Sequence, residues 1–199
     1  MAYEVIGISG KAGCGKDYIF SNYLQPRGFL QISLSWHFKV DLIAKGVITF
    51  EEAFETKPPN VRTLLQLVGT ELGRTVYGEN IWCDTLRTWM DVYNFHWGAT
   101  RFAIPDVRFI SELDFIQNDL NGHVIRVLAP IRSGDTSLDS TQRAHASEAE
   151  MDRIVNNDFD GLLHNDPGDP DLDLQLGVLF EVFGYDYNKT NDAIHPVHT

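Results

Sequence analysis

Five short apolar stretches punctuate the chain, and longer segments of helical periodicity separate them. Tyr3 to Ser9 (YEVIGIS) is apolar and β-branched and runs into glycine, the pattern of a buried parallel strand ending in a loop. A helix is predicted over Lys16 to Leu24, Pro26 and Gly28 break it, and Phe29 to Leu34 alternates as a second strand. Ser35 opens a helix through Lys45, and Thr49 with Glu52 forms a capping-box signature for another short helix. From Asn60 the positions Val61, Leu64, Leu65, Val68 and Leu72 recur at helical spacing, as do Ile81, Leu86, Trp89 and Val92 from Asn80.

Arg101 to Pro105 is the third predicted strand, a helix follows around Ser111 to Leu120, and His123 to Leu128 is the fourth strand. Residues Ala129 to Glu150 are polar and poorly periodic and read as a mobile flap. Gly161 to His164 is a fifth strand, Leu172 to Phe183 a closing helix, and Gly184 to Thr199 a polar tail. Strands alternating with helices, each gap long enough for a crossover, predict a single α/β domain with a parallel sheet of about five strands and helices on both faces.

Composition changes this picture only by exclusion. The chain has 199 residues, and its 28 acidic against 16 basic side chains leave a net charge of -12, a field that disfavours extended nucleic acid. No window approaches a membrane span, and the start MAYEVIGISG lacks the pattern of a signal peptide, so a cytoplasmic location and no membrane partner are expected. Cys14 and Cys83 are too few for a disulfide framework.

The chemistry enters at Gly10-Lys11-Ala12-Gly13-Cys14-Gly15-Lys16-Asp17, a GxxxxGK string between a predicted strand and a predicted helix. Glycines in that place let backbone N–H groups wrap a phosphate, the helix N-terminus adds positive charge, and Lys16 reaches the outer phosphates. Cys14 reads as a small loop residue. Asp17 stands where the general pattern has Ser or Thr, so a carboxylate replaces the usual hydroxyl ligand of magnesium. Elsewhere, Arg62, Gln66, Gly69 and Thr70 share one helix face, and Asp106 and Arg108 lie two apart at the end of the third strand, where open α/β sheets bind ligands. Glu112, four residues beyond Arg108, is placed to hold its guanidinium.

These segments, with SWHFKVDL at 35–42, VRTLLQLVGTEL at 61–72, NIWCDTL at 80–86, IPDVRFISE at 104–112, HASEAEM at 145–151 and LLHND at 162–166, resemble the deoxynucleoside monophosphate kinases of tailed bacteriophages, within the P-loop nucleoside monophosphate kinases. They occur in that family's order, and a loop ending in Gly-Lys-Asp is itself usual there. The resemblance implies transfer of the ATP γ-phosphoryl group to the 5′-phosphate of a dNMP, with ATP and Mg²⁺ as cofactors. It implies a helical monophosphate-binding insert near 35–98 and a lid near 129–150, and, for a phage protein, location in the host cytoplasm. Carried over by position, residues 10–17 bind ATP, and Lys39, Arg62, Gly69, Trp82, Asp106, Arg108 and Glu112 form the dNMP site. Lys16, Arg108 and Arg132 are the catalytic candidates, Arg126, Arg143 and Glu148 further lid candidates, and Asp17 the magnesium candidate. The expected partner is a small-molecule dNMP, with a homodimer left open. Two alternatives stand: a kinase of a modified base in DNA or of another small metabolite, and a non-catalytic nucleotide-binding switch, which would have no need of a second phosphate pocket.

Overall fold

The computed structural model describes residues 3–134 and 153–190. Strands β1 (Glu4–Ser9), β2 (Leu30–Gln31), β3 (Arg101–Val107), β4 (His123–Leu128) and β5 (Gly161–His164) form one sheet in the order β2-β3-β1-β4-β5, with every pairing parallel. Helix α1 (Lys16–Ile19) follows β1 and continues through π-type turns over Phe20–Leu24. Between β2 and β3 lie α2 (Trp36–Ala44), α3 (Pro59–Gln66), α4 (Gly73–Tyr77) and α5 (Ile81–Trp97). Helices α6 (Ile110–Asp114), α7 (Pro130–Gly134) and α8 (Leu172–Phe183) follow β3, β4 and β5.

Alternation along the strands explains why the sheet is covered on both faces. Val5, Phe102, Ile104 and Val124 pack with Phe38, Leu86, Met90 and Leu113 into one core, while Ile6, Ile8, Ala103, Ile125 and Leu163 pack with Ile19, Leu24, Leu176 and Phe180 into the other. Each fully buried side chain of this size contributes about 1.5–3 kcal/mol. Gly7 of β1 is set by packing, since a Cβ there would come 2.8 Å from Ile116 Cδ1. A third, smaller cluster joins Leu42 of α2 to Ile48, Ala53 and Val61. At the amino ends of the strands, buried Arg101 donates to Glu4 Oε2 at 2.6 Å and to the carbonyls of Arg27 and Asp186, fastening the segment after α8 to the sheet.

Three elements differ in extent from the sequence pattern. β2 is only two residues long at the sheet edge because the chain turns away at Ser33, where Asp106 captures it. β3 runs on to Val107, which pairs with Ser9 across a register shift. The helix from Asn60 begins one residue earlier with Pro59 in its first turn and continues through π-type turns over Leu67–Leu72 into α4, making a helical rod from Pro59 to Tyr77. The capping box has formed: Thr49 N–H donates to Glu52 Oε2 at 2.8 Å and Glu52 N–H to Thr49 Oγ1 at 3.1 Å. Among the described residues no helix is long and apolar enough to cross a membrane.

The chain leaves β1 for one side of the sheet to build β2 and β3, then crosses to the other side for β4 and β5. A crevice beyond the carboxyl end of β1 follows from that reversal.

Candidate active site

The loop after β1 owes its shape to its glycines. Gly10, Gly13 and Gly15 have φ of 148°, 81° and 96°, where a side chain is strained, and Gly15 leads directly into α1. A Cβ on Gly10 would come 2.7 Å from Cys14 Sγ and 2.8 Å from the Val127 carbonyl, so the loop also fits tightly over the end of β4. Lys16 Nζ donates back to the carbonyls of Gly10 at 2.6 Å and Lys11 at 3.1 Å, curling its ammonium over the loop. Burial pushes the Cys14 thiol up despite the nearby lysine, which leaves it an inert packing group.

Asn165, just beyond β5, holds this loop from beneath. Its Nδ2 donates to the Cys14 carbonyl at 2.8 Å in a buried contact, and its amide packs where a Cβ on Gly15 would stand. The next residue, buried Asp166, accepts from the Ile131 and Arg132 N–H groups at 2.9 and 3.0 Å at the start of α7. One turn after β5 thus ties the glycine loop to the segment where the lid is expected. Neither residue was singled out from the sequence, where they appear only inside the LLHND string.

Facing the loop is a cleft of about 670 Å³. Ala12, Gly13, Lys16 and Asp17 line one side, and all seven residues expected at the dNMP site, Lys39, Arg62, Gly69, Trp82, Asp106, Arg108 and Glu112, line the same cleft. Its charge opposes that of the chain. Lys16, Lys39, Lys57, Arg62, Arg74 and Arg108 line it against only Asp17, Asp106 and Glu112, so a protein of net charge -12 offers a cationic cleft.

Each wall residue has a local reason for its place. Asp106 accepts from Ser33 Oγ at 2.5 Å and from the Leu34 and Ser35 N–H groups at 3.1 Å, bracing the turn between β2 and α2 against the end of β3. That turn launches α2, which carries Lys39 with its Nζ 4.9 Å from the Phe54 ring centre. Burial lowers the Lys39 pKa, Lys57 and Arg108 lower it further, and Asp106 and Asp17 pull it back. Arg62 Nε donates to the carbonyl of Lys57, which adopts a left-handed φ of 45°. Trp82 donates to the Gly69 carbonyl at 2.6 Å and packs on Phe38 at 5.0 Å, so it both builds the core and walls the cleft. A Cβ on Gly69 would come 3.0 Å from the Phe38 ring, which gives this glycine a packing reason.

Glu112 departs from the pairing expected of it. The guanidinium it holds is that of Arg74 on α4, while Arg108 and Phe109 donate to it through their backbone N–H groups at 2.7 and 3.1 Å. The carboxylate is only 3% exposed, and burial pushes its pKa up to about 7 against the pull of Arg74 and the amides. Arg74 was not legible because its partner lies 38 residues away and meets it only in the fold.

Of the lid candidates, Arg126 and Arg132 are not among the residues that line the cleft. Arg126 donates to the Ile154 carbonyl at 2.6 Å and lies 5.1 Å from the Phe159 ring centre, and Arg132 is exposed on α7. Arg143 and Glu148 fall outside the described residues, as does most of the expected flap.

The glycine cradle fits a nucleotide triphosphate chain by its φ angles and its lysine. For magnesium the fit rests on Asp17, which lines the cleft from the first turn of α1; among the described residues there is no group of three or more His, Cys, Asp or Glu arranged to hold a metal. One carboxylate with substrate phosphates is an ordinary set for Mg²⁺.

No protein-family model and no curated protein matches the chain. Solved structures do. The crystal structure of TT1252 from Thermus thermophilus aligns over 92% of this chain and 98% of its own, with 16% identity and a TM-score of 0.53. A sugar kinase from a Janibacter species, solved without ligand, aligns over 96% of this chain and 99% of its own, with 11% identity and a TM-score of 0.50. At these identities the likeness establishes a shared α/β fold, one that a kinase uses.

Proposed function

We propose that the chain is an ATP-dependent deoxynucleoside monophosphate kinase, converting ATP and a dNMP to ADP and a dNDP. The observation that carries this reading is the cationic cleft in which the glycine loop faces a second set of cations, Lys39, Arg62 and Arg108. A phosphate loop alone binds a nucleotide; a second phosphate-binding wall opposite it provides for an acceptor. The same wall argues against a non-catalytic switch, and the net charge of -12 argues against a DNA acceptor.

In this reading the loop amides and Lys16 hold the β- and γ-phosphates, with the Lys16 ammonium exchanging the Gly10 and Lys11 carbonyls for phosphate oxygens. Arg62 and Arg108 present forked donors to the acceptor phosphate, and Lys39 a point charge. The attacking oxygen belongs to a phosphate already ionised at neutral pH, so no strong base is required. Asp106 keeps the turn that carries α2 in place, and Trp82 and Phe38 provide an apolar wall for base and sugar. Asp17 would help hold Mg²⁺, whose charge, when bound, neutralises the phosphoryl oxygens during transfer. Alignment and charge stabilisation then supply the rate.

The test is ADP release with ATP and Mg²⁺ on a panel of dNMPs, NMPs, hydroxymethyl-modified dNMPs and simple sugars. Turnover of at least one dNMP well above the sugars and the no-acceptor control is expected. Turnover of sugars alone, or none above the control, would overturn the reading.

A further inference from the structure

We propose that Lys57 is a fourth cation of the acceptor-phosphate site, beside Lys39, Arg62 and Arg108, and that its strained backbone is kept for that purpose. This rests on the mononucleotide kinase reading and adds to it a substrate contact that neither the glycine loop nor the family resemblance supplies. Lys57 ends the π-type turn Glu52–Thr56 in the left-handed region, with φ 45° and ψ 62°. Only one other non-glycine among the described residues, Asn121, has a positive φ. Asparagine tolerates that region because its short side chain bonds locally, and glycine or asparagine is the usual residue where a helix ends this way. Lysine has neither advantage, so the turn alone does not account for it, and a strained residue on a cleft wall points to a use for its side chain. Two prolines directly after it, Pro58 and Pro59, leave the backbone little room to relax. Arg62 Nε donates to the Lys57 carbonyl at 3.1 Å, so one acceptor-side cation holds the turn that presents the other.

The charge around Lys57 is arranged for an anion. It lines the cleft together with Phe54, whose ring faces the Lys39 ammonium. Among the described residues it takes part in no ion pair, whereas Lys45 and Lys189 each meet a carboxylate. Glu55, the nearest acid in sequence, does not line the cleft. The positive charges of Lys57 and Arg108 both bear on Lys39, where they oppose its protonation, and Asp106 and Asp17 offset them only in part. Cations gathered in this way repel one another until an anion joins them. A phosphate dianion relieves that repulsion, and the hydroxyl of an uncharged acceptor does not.

The experiment titrates the dNMP that the wild type turns over fastest, and separately a non-hydrolysable ATP analogue, against wild type, Lys57→Asn and Lys57→Arg, and melts all three proteins without ligand. Asparagine suits the left-handed backbone and removes the charge, so Lys57→Asn should melt about 1–4 °C above wild type. The same variant should bind the dNMP about 10-fold or more weakly and the ATP analogue within about twofold of wild type. Lys57→Arg keeps both charge and strain and should bind the dNMP within about threefold of wild type. Higher stability with a loss confined to the acceptor is the signature of a residue kept for its ligand, since a merely structural residue would lower the melting temperature and weaken both ligands together. Unchanged dNMP affinity in Lys57→Asn, a lower melting temperature, an equal loss of the ATP analogue, or a loss in Lys57→Arg as large as in Lys57→Asn overturns the proposal and leaves the kinase reading standing. No turnover of any dNMP by the wild type overturns the kinase reading, and this proposal with it.

Discussion

Replacing Asn165 by aspartate removes, at nearly constant volume, the donor that holds the Cys14 carbonyl and puts an acceptor in its place. The bond is short, 2.8 Å, and buried, with Asn165 only 7% exposed, so water cannot substitute freely. Leaving that carbonyl without a donor costs about 1–3 kcal/mol, and facing it with a carboxylate oxygen adds repulsion. The backbone of Asn165 stays anchored through its N–H to the Leu128 carbonyl at 2.9 Å, so the damage falls on the glycine loop and not on β5. At about 2–4 °C per kcal/mol for a chain of this size, the melting temperature should fall by about 2–12 °C. Because the proposed function makes this loop the phosphate cradle, affinity for a non-hydrolysable ATP analogue should fall by about 5- to 150-fold. Asn165→Ala should show the same direction with a smaller loss. Calorimetric melting with and without the analogue, together with direct titration, reads both effects. An Asn165→Asp protein that melts within a degree of wild type and binds the analogue equally well would refute the claim that this side chain shapes the loop.

Two further outcomes follow from the cleft. Asp17→Ser should move the magnesium concentration needed for half-maximal rate, and a superimposable magnesium titration would remove Asp17 from the metal site. Lys39, its pKa lowered by burial, must be charged to hold an acceptor phosphate, so dNMP affinity should fall as pH rises through that depressed value, below the ordinary lysine range. Lys39→Arg keeps the charge and should carry full affinity to higher pH; identical pH profiles for the two proteins would show that Lys39 is not the titrating group.

What the sequence disclosed and what it concealed divide along physical lines. β4, β5 and α8 were legible to the residue because an apolar run or a helical stripe ends at a turn. The glycine loop was legible because its backbone conformation demands glycine at fixed places in a consecutive string. β2 was overestimated because alternation from Phe29 to Leu34 cannot show that Asp106, more than 70 residues away, diverts the chain at Ser33. Of the seven residues expected at the dNMP site, Arg62, Gly69, Asp106, Arg108 and Glu112 stood out by helix-face and strand-end spacing, while Lys39 and Trp82 entered only through family resemblance; they come from α2, the long helical rod, α5, β3, the turn after it and α6, and no local pattern joins all seven. Arg74, Asn165 and Asp166 stayed hidden for the same reason. Each is an ordinary polar residue whose meaning lies in a partner distant in sequence.

The central claim is that one cleft holds two separable phosphate sites, and direct titration of the two ligands, one at a time, against wild type, Arg62→Ala and Arg108→Ala tests it. Each forked, charge-assisted contact is worth about 1.5–3 kcal/mol, so dNMP affinity should fall by about 10- to 150-fold in either variant while ATP-analogue affinity stays within about twofold. Loss of ATP-analogue affinity with dNMP binding retained would contradict the account, because the residues assigned to the acceptor would then belong to the donor.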